Sequence, residues 1–297
     1  MQRRFLQLSG VLGACLVATP LAAQRDFSGV EIRTIPVADG VYMLMGSGGN
    51  IGLSVGEDGP FVVDDQFAGL TEKILAAIAA VSDGSVRFVL NTHWHGDHTG
   101  GNENLGKAGA MIVAHENVRK RLNPKEFHEV MERSQQAPPD ALPVVTFSDA
   151  VTFYWNGEEI RAFHVEHAHT DGDAIIHFVN ANVIHMGDTF FNGIFPFIDF
   201  ASGGAIDGLI HAADRVLSMV NSNTQIIPGH GPLAKQDALL EYRNMLMTVR
   251  DGIRTMLNDG MSVDEIVAAD PAAGFADSWT GNAERMVRNA ALSLGGQ

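Results

Sequence analysis

A short stretch of the chain holds three histidines and one aspartate within six positions. Residues 93–98 read HWHGDH and follow the apolar run 86–90, which has the composition of a buried strand. Neutral imidazole is the commonest protein ligand for metals, and carboxylates complete many such sites. In a tight loop, the first two histidines can project together while the aspartate and the third histidine point to a neighbouring position. The spacing therefore favours two adjacent metal ions over one, with His93, His95, Asp97 and His98 as ligands.

Three more candidate ligands stand alone beside later predicted strands. His169 precedes such a strand, and Asp188 and His230 each follow one, next to Gly or Thr. Clefts in folds that mix strands and helices form at strand ends. The full set of five histidines and two aspartates is large enough for two ions that share one bridging carboxylate.

The elements that must position these residues alternate between strands and helices. Apolar residues at helical spacing predict helices at 70–81 and 206–220, and the tail is predicted to be helical at 237–257 and 283–294. This mixture predicts sheets covered by helices, an α/β or α+β fold. No composition shift marks a linker, so we expect residues 24–297 to form a single domain. Strands are predicted at residues 30–37, 41–45, 51–55, 61–63, 86–90, 159–165, 174–179, 182–186 and 225–227.

The order of these motifs resembles the metallo-β-lactamase superfamily. The HxHxDH motif, followed by single His, Asp and His positions, covers the chain from about residue 41 to residue 230. The resemblance implies a four-layer αβ/βα sandwich with two zinc ions between the sheets. It also makes Asp64, at the end of the run 61–63, a partner that orients a loop or a ligand, although a structural turn aspartate is an equal interpretation. By this resemblance His93, His95 and His169 would hold the first metal, Asp97, His98 and His230 the second, and Asp188 would bridge them.

The resemblance also implies a reaction. Zinc lowers the pKa of a bound water to near 7, which supplies hydroxide to attack a carbonyl. Asp97 and Asp188 would be the catalytic carboxylates, because one orients the hydroxide and the other joins the metals. Iron or manganese could replace zinc at the second site, since an aspartate bridge makes it a harder site than a thiolate would.

The substrate is expected to be a small molecule with a cyclic amide or ester, that is, a β-lactam or a lactone. The best-known β-lactamases of the superfamily carry Cys where this chain has Asp188, and commonly Lys where it has Phe191. Thioesterases similar to glyoxalase II share the present ligand set and are the alternative. A metal-binding module without catalysis also fits the residues. Trp94, Phe190, Phe191 and Phe195 could line an apolar substrate pocket, though core packing explains most of them equally well.

Two further parts of the chain remain open to two interpretations. The polar, proline-containing segment 123–143 fits either a lid or a solvent-exposed insertion. His167 is a rival to His169 as a ligand, because both would point to one side of an extended segment. The histidines at 115, 128 and 211 are expected at the surface.

The first residues have the features of an export signal. Arg3 and Arg4 precede an apolar run of about 14 residues, too short for a membrane span, and small residues lead to a cleavage point near Ala23. We therefore expect residues 1–23 to be a signal peptide and the mature protein to be periplasmic or secreted. A lipoprotein cleavage site at Cys15 is a weaker interpretation, because the apolar sequence continues beyond it.

Composition excludes several partners. The formal net charge of -15 argues against nucleic acid and against stable contact with an anionic membrane, since both require clustered Lys and Arg. Cys15 is the single cysteine, so neither an internal disulfide nor a cysteine-rich metal site can form. The oligomeric state is left open by the sequence.

Overall fold

The computed structural model describes residues 25–127 and 135–296, so the predicted signal peptide lies outside it. Its strands are β1 Arg33–Ala38, β2 Val41–Met45, β3 Ile51–Ser54, β4 Phe61–Val63, β5 Phe88–Leu90, β6 Met111–His115, β7 Val145–Phe147, β8 Ala150–Trp155, β9 Glu158–His164, β10 Ala174–Phe178, β11 Val183–His185 and β12 Gln225–Ile227. Its α-helices are α1 Thr71–Ala79, α2 Gly96–Thr99, α3 Asn102–Lys107, α4 Glu116–Leu122, α5 Pro124–Phe127, α6 Ile206–Leu217, α7 Gln236–Asn258, α8 Val263–Ala269 and α9 Ala283–Ser293.

The strands form two sheets. The first has the order β1-β2-β3-β4-β5-β6-β7 and the second β12-β11-β10-β9-β8. In the first sheet β1 to β4 pair antiparallel, whereas β4 to β7 run parallel. In the second sheet only the β11–β12 pair is parallel. Parallel neighbours end at the same edge, so the loops after β4 and β5 lie together, as do those after β11 and β12.

The inner faces of the two sheets bury a common apolar core. Phe61, Val63 and Leu90 of the first sheet pack in one cluster with Ile176 and Phe178 of the second. All five are fully buried. At about 25 cal/mol per Å² of apolar surface, burial of such side chains is the main force that holds the sheets together.

The outer faces are covered by helices. Ile74 and Ile78 of α1 pack on the outer face of the first sheet. Leu209 of α6, with Tyr242 and Leu246 of α7, packs on the outer face of the second sheet. The order helix, sheet, sheet, helix is the predicted four-layer sandwich, which is confirmed. No helix among the described residues is both long and apolar enough to cross a bilayer.

Candidate metal centre

The seven predicted ligands converge at one end of the sandwich. The first four follow β5 and continue into the short helix α2, while the others follow or precede strands of the second sheet. They form two groups, in each of which the potential ligand atoms lie within 4.8 Å of one another. The first group is His93, His95, His169 and Asp188, and the second is Asp97, His98 and His230.

Asp188 lies between the two groups and faces both. Its Oδ2 is 3.5 Å from Nε2 of His169 and 3.9 Å from Nε2 of His93. Its Oδ1 is 3.1 Å from Nε2 of His98 and 3.4 Å from Nε2 of His230. One carboxylate oxygen therefore faces each group, which is the arrangement that a bridging ligand requires.

The hydrogen bonds on the outer side of the first group determine its tautomers. His169 Nδ1 donates to the carbonyl oxygen of Phe197 at 2.6 Å, and His95 Nε2 donates to Asp199 at 2.8 Å. These oxygens only accept, so in the neutral rings the inner nitrogens carry lone pairs. Those lone pairs, His169 Nε2 and His95 Nδ1, lie 2.9 Å apart. Two lone pairs this close repel unless a cation lies between them, so the residues fit a metal ion.

The second group shows the same chemistry. His98 Nδ1 donates to Asp64 Oδ2 at 2.7 Å, so in the neutral ring, the form that binds a metal, the lone pair of Nε2 faces Asp188 Oδ1. Both inner atoms are buried, and neither has a hydrogen-bond partner among the described residues. Buried polar atoms without partners are costly and are rare in folded proteins. A cation bound here would satisfy both atoms at once.

Electrostatics distinguish the two groups. Burial lowers the pKa of His169 to about 4, so this ring stays neutral and able to bind metal. Burial also opposes charge on His230, but the carboxylate of Asp188 outweighs it and raises the pKa of His230 to about 9. For Asp97 burial is likewise outweighed, here by the positive charge of the protonated His98 ring, and the pKa falls to about 2. The second group therefore favours positive charge on its histidines, which lie beside the carboxylates of Asp97 and Asp188.

Asp64 holds two parts of the site. It is fully buried directly after β4, and its Oδ2 accepts from His98 Nδ1 and from Thr92 Oγ1. Its Oδ1 accepts from the backbone N–H of Thr92 at 2.7 Å. Its φ of 63° is unusual for an aspartate and is held by these bonds. Asp64 therefore contacts the predicted ligand His98 and also Thr92, at the start of the loop that carries His93, His95 and Asp97. It is both a partner that orients a ligand and a structural aspartate at a turn, the two roles that the sequence left open.

Asp199 is a functional candidate that the sequence reasoning missed. It is almost fully buried and accepts hydrogen bonds from His95 Nε2 and, at 2.7 Å, from Ser202 Oγ. A carboxylate on the outer nitrogen of a ligand histidine fixes its orientation and raises its basicity. His95 and Asp199 are 104 positions apart, and no local motif marks their contact.

Solvent reaches three of the seven ligand side chains among the described residues. His93, His98, His169 and Asp188 are buried, whereas the side chains of His95, Asp97 and His230 are 15%, 28% and 25% exposed. A substrate must therefore approach past His95, Asp97 and His230.

The structure corrects part of the predicted pocket. Phe190 is fully buried and packs on the ring of Tyr242 with 5.1 Å between centroids, so it belongs to the core and cannot contact substrate. Phe195 also packs inward, against Trp279. Phe191 stacks on His230 and Trp94 lies against His95, so both border the ligands, although each is mostly buried.

The remaining histidines lie outside the two groups. His167 is exposed and bonds the carbonyl oxygen of Gly203, so the structure does not bring it to the site. His211 is exposed, as predicted, and His128 lies outside the described residues. The prediction for His115 is wrong, because it is 4% exposed and its ring stacks on His164. It ends β6 and its Nδ1 caps helix α4, which draws it inward.

The segment 123–143 is described only in part. Residues 124–127 form α5, residues 128–134 lie outside the described part of the chain, and residues 139–141 form a 3-10 turn. Leu142 packs in a small cluster with Trp94 and Leu122. Both interpretations of the segment, a lid and a solvent-exposed insertion, are untested by these residues.

Comparison with known proteins agrees with this arrangement. A family model described as the metallo-β-lactamase superfamily matches residues 45–232, well over half of the chain. The chain belongs to the metallo-β-lactamase superfamily. The match spans every one of the seven ligand candidates, so the superfamily resemblance predicted from the motifs is confirmed.

Individual members of the superfamily are similar over part or all of their length. A hydroxyacylglutathione hydrolase of Prochlorococcus marinus (strain NATL1A) is 29% identical over 180 residues, 57% of this chain and 59% of that protein. One of Pelagibacter ubique (strain HTCC1062) is 29% identical over 110 residues, 36% of this chain and 37% of that protein. The chain thus spans less than two thirds of these curated relatives.

Solved structures share the superfamily fold. A metallo-β-lactamase from Pontibacter korlensis has a TM-score of 0.62 at 17% identity, covering 73% of this chain and 99% of that one. The metallo-β-lactamase DIM-1 has a TM-score of 0.57 at 19% identity, covering 74% and 99%. At such identities the likeness concerns the fold.

Proposed function

We propose that this chain is a metal-dependent hydrolase that cleaves an acyl bond with water. The observation that carries the proposal is the pair of facing ligand groups joined by Asp188. Two cations held there, zinc or at the second group iron or manganese, would lower the pKa of water and polarise a carbonyl. Among the described residues, these two groups are the sets of His and Asp side chains that could hold a metal ion.

The residues of the chain have separate tasks in this reaction. Asp97 is the most exposed carboxylate of the site, and its Oδ2 lies 3.4 Å from His230 Nε2. It is placed to accept a hydrogen bond from the attacking water and to orient it. His93, His169 and Asp188 are buried, and burial away from bulk water strengthens electrostatic interactions there.

Two substrate classes are supported by different observations. The hydroxyacylglutathione hydrolases among the relatives, together with the Asp188 ligand, favour an acyclic thioester. The export signal expected in residues 1–23 favours a cyclic amide or ester, a β-lactam or lactone, outside the cytoplasm. We give the thioester first place, because sequence similarity supports it directly.

A substrate panel tests the proposal. The mature protein, freed of metal and reloaded with zinc, is offered S-lactoylglutathione, benzylpenicillin and a γ-lactone. We expect turnover of at least one substrate that chelator abolishes and zinc restores. Failure with all three under full metal loading would refute the proposal.

Asp97→Ala should remove most turnover while leaving the fold intact, and unchanged turnover would refute the role of Asp97. Metal uptake without any turnover would instead indicate a non-catalytic metal-binding module.

Export is proposed separately and has its own test. Expression of the full chain in a Gram-negative host, with fractionation and sequencing of the amino terminus, should give periplasmic protein that begins near residue 24. Protein retained in the cytoplasm with residues 1–23 attached would contradict it.

A further inference from the structure

An arginine of the last helix lies one aromatic ring away from the metal centre. The guanidinium carbon of Arg285, in α9, is 4.5 Å from the ring centroid of Phe197. That ring is 6.0 Å from the ring of His95 and 5.8 Å from that of His169. His95 is the member of the first group whose side chain is partly exposed, at 15%. The positive charge of Arg285 therefore lies beside the part of the site that solvent reaches.

The position of this arginine is fixed by the segment that orients the ligands. The carbonyl oxygen of Phe197 and the carboxylate of Asp199 bond two ligand histidines, and Ile198 lies between them. Asn289 of α9 donates from Nδ2 to the carbonyl oxygen of Ile198 at 2.7 Å. Helix α9 is therefore tied to the three-residue segment 197–199, whose first and last residues orient the histidines.

The charge of Arg285 is available for a ligand. Its side chain is exposed, and among the described residues no carboxylate forms an ion pair with it. The other arginine near the site differs, because Arg121 is buried and forms two hydrogen bonds to Asp171 at 2.6 and 2.7 Å. The net charge of the chain is -15, which by itself repels anionic ligands. A cation without an ion-pair partner beside the site would attract them there.

We propose that Arg285 binds a carboxylate of the substrate and so selects acyl compounds that carry a negative charge away from the bond that is cleaved. The proposal rests on the hydrolase function and narrows its substrate class. A guanidinium offers paired N–H donors that match the two oxygens of a carboxylate, and stacking on Phe197 holds its plane.

Matched substrates test the proposal. Arg285→Gln is compared with wild type on two pairs, S-lactoylglutathione against S-lactoyl-N-acetylcysteamine, and benzylpenicillin against its methyl ester. Loss of a charged hydrogen bond should lower kcat/KM about ten- to hundredfold on the carboxylate substrate, mainly through KM. On the neutral substrate of each pair, kcat/KM should stay within about twofold of wild type. Arg285→Lys should recover part of the loss, and added salt should weaken wild type more than Arg285→Gln.

Arg288→Gln is the matched control. Arg288 lies one turn further along α9, is partly exposed, and pairs with Asp264 at 2.7 Å. Its replacement should leave both members of each pair unchanged. An equal loss on charged and neutral substrates, or no loss at all, would overturn the role of Arg285 while leaving the hydrolase function standing. A wild-type protein that cleaves the γ-lactone but none of these four substrates would overturn the role of Arg285 alone. One that cleaves neither the lactone nor any of the four would refute the hydrolase function, and this role with it.

Discussion

At the scale of single residues, the site depends on which nitrogen of each histidine points inward. Thr92 donates its hydroxyl proton to Asp64, so its oxygen can accept from His93 Nδ1 at 3.0 Å. The same logic applies to His169 with a carbonyl and to His95 with Asp199. Each outer acceptor fixes a tautomer and leaves an inner lone pair, so the metal affinity of the site is set partly by residues that never contact metal.

Asp199→Asn tests this dependence. The amide keeps the shape of the side chain but removes the charge that supports His95, so we expect metal affinity of the first group to fall about ten- to hundredfold. Competition with a chromophoric chelator measures it. Ser202→Ala removes a hydrogen bond to Asp199 without touching His95, and its effect should be smaller. Equal affinities for wild type and Asp199→Asn would contradict the assignment.

At the scale of elements, short turns after strands bring the ligands to one place. The turn after β12 passes so close to the turn after β11 that Gly229 N–H donates to the carbonyl oxygens of Gly187 and Phe190, at 2.7 and 3.0 Å. A Cβ atom at position 229 would overlap the Asp188 carboxylate. Glycine is therefore required here by the close approach of Asp188.

Gly229→Ala is expected to displace Asp188. The overlap should cost about 1–3 kcal/mol of unfolding free energy and should lower the metal bound per protein below that of wild type. Chemical denaturation and elemental analysis measure the two effects. Gly274→Ala serves as control, because a Cβ there meets nothing within 4 Å. Full metal content in Gly229→Ala would show that the two turns can separate without cost.

The junction of β6 and α4 predicts a pH effect on stability. His115 Nε2 donates to the carbonyl oxygen of Ser148, and Nδ1 accepts from the N–H of Asn117. Burial, aided by the stacked ring of His164, lowers the pKa of His115 to about 4. Because protonation then favours the unfolded chain, whose histidine has a pKa near 6.5, this contribution to stability is present above pH 6.5 and is lost as pH falls towards 4.

His115→Asn should remove that dependence. Asparagine can cap the helix but does not titrate, so unfolding free energy of the variant should fall less steeply between pH 6.5 and 4, by up to one proton. Denaturant titrations across this range measure the slope. His211→Gln, at an exposed histidine, should keep the wild-type slope. A slope in His115→Asn that equals wild type would contradict the assigned pKa.

At the scale of the whole molecule, the metal centre spans both sheets. The first sheet supplies His93, His95, Asp97 and His98 from the loop after β5, and the second supplies His169, Asp188 and His230. Ions bound between them would link the two halves of the sandwich. Metal binding at this site would therefore be coupled to the packing of the sheets and not only to the loops that carry the ligand candidates.

Metal should consequently raise the stability of the entire fold. A ligand bound only by the native state adds about 2.7 kcal/mol when its free concentration is one hundred times Kd. Unfolding of metal-loaded and chelator-treated protein, followed by both helix and aromatic signals, should show one transition that moves with metal concentration. In Asp188→Asn the shift should largely disappear. A metal effect confined to one signal would indicate local ordering instead.

Local patterns in the sequence predicted the ligand set, its order along the chain and the layered fold. These features depend on periodicity and on residues within a few positions of one another, as in HWHGDH and in the helix at 206–220, which the structure places at Ile206–Leu217. The alternation of strands and helices was enough to predict sheets covered by helices.

Tertiary structure alone decided the surroundings of these ligands. It placed Phe190 in the core, buried His115, aligned Asp199 with His95 and set Arg285 over Phe197. Each of these contacts joins side chains from different elements, the His95–Asp199 pair being 104 positions apart. The periodicity of the sequence cannot predict such a pairing, because it reflects only residues that are close along the chain. The pairing is fixed by how the two sheets and their helices pack.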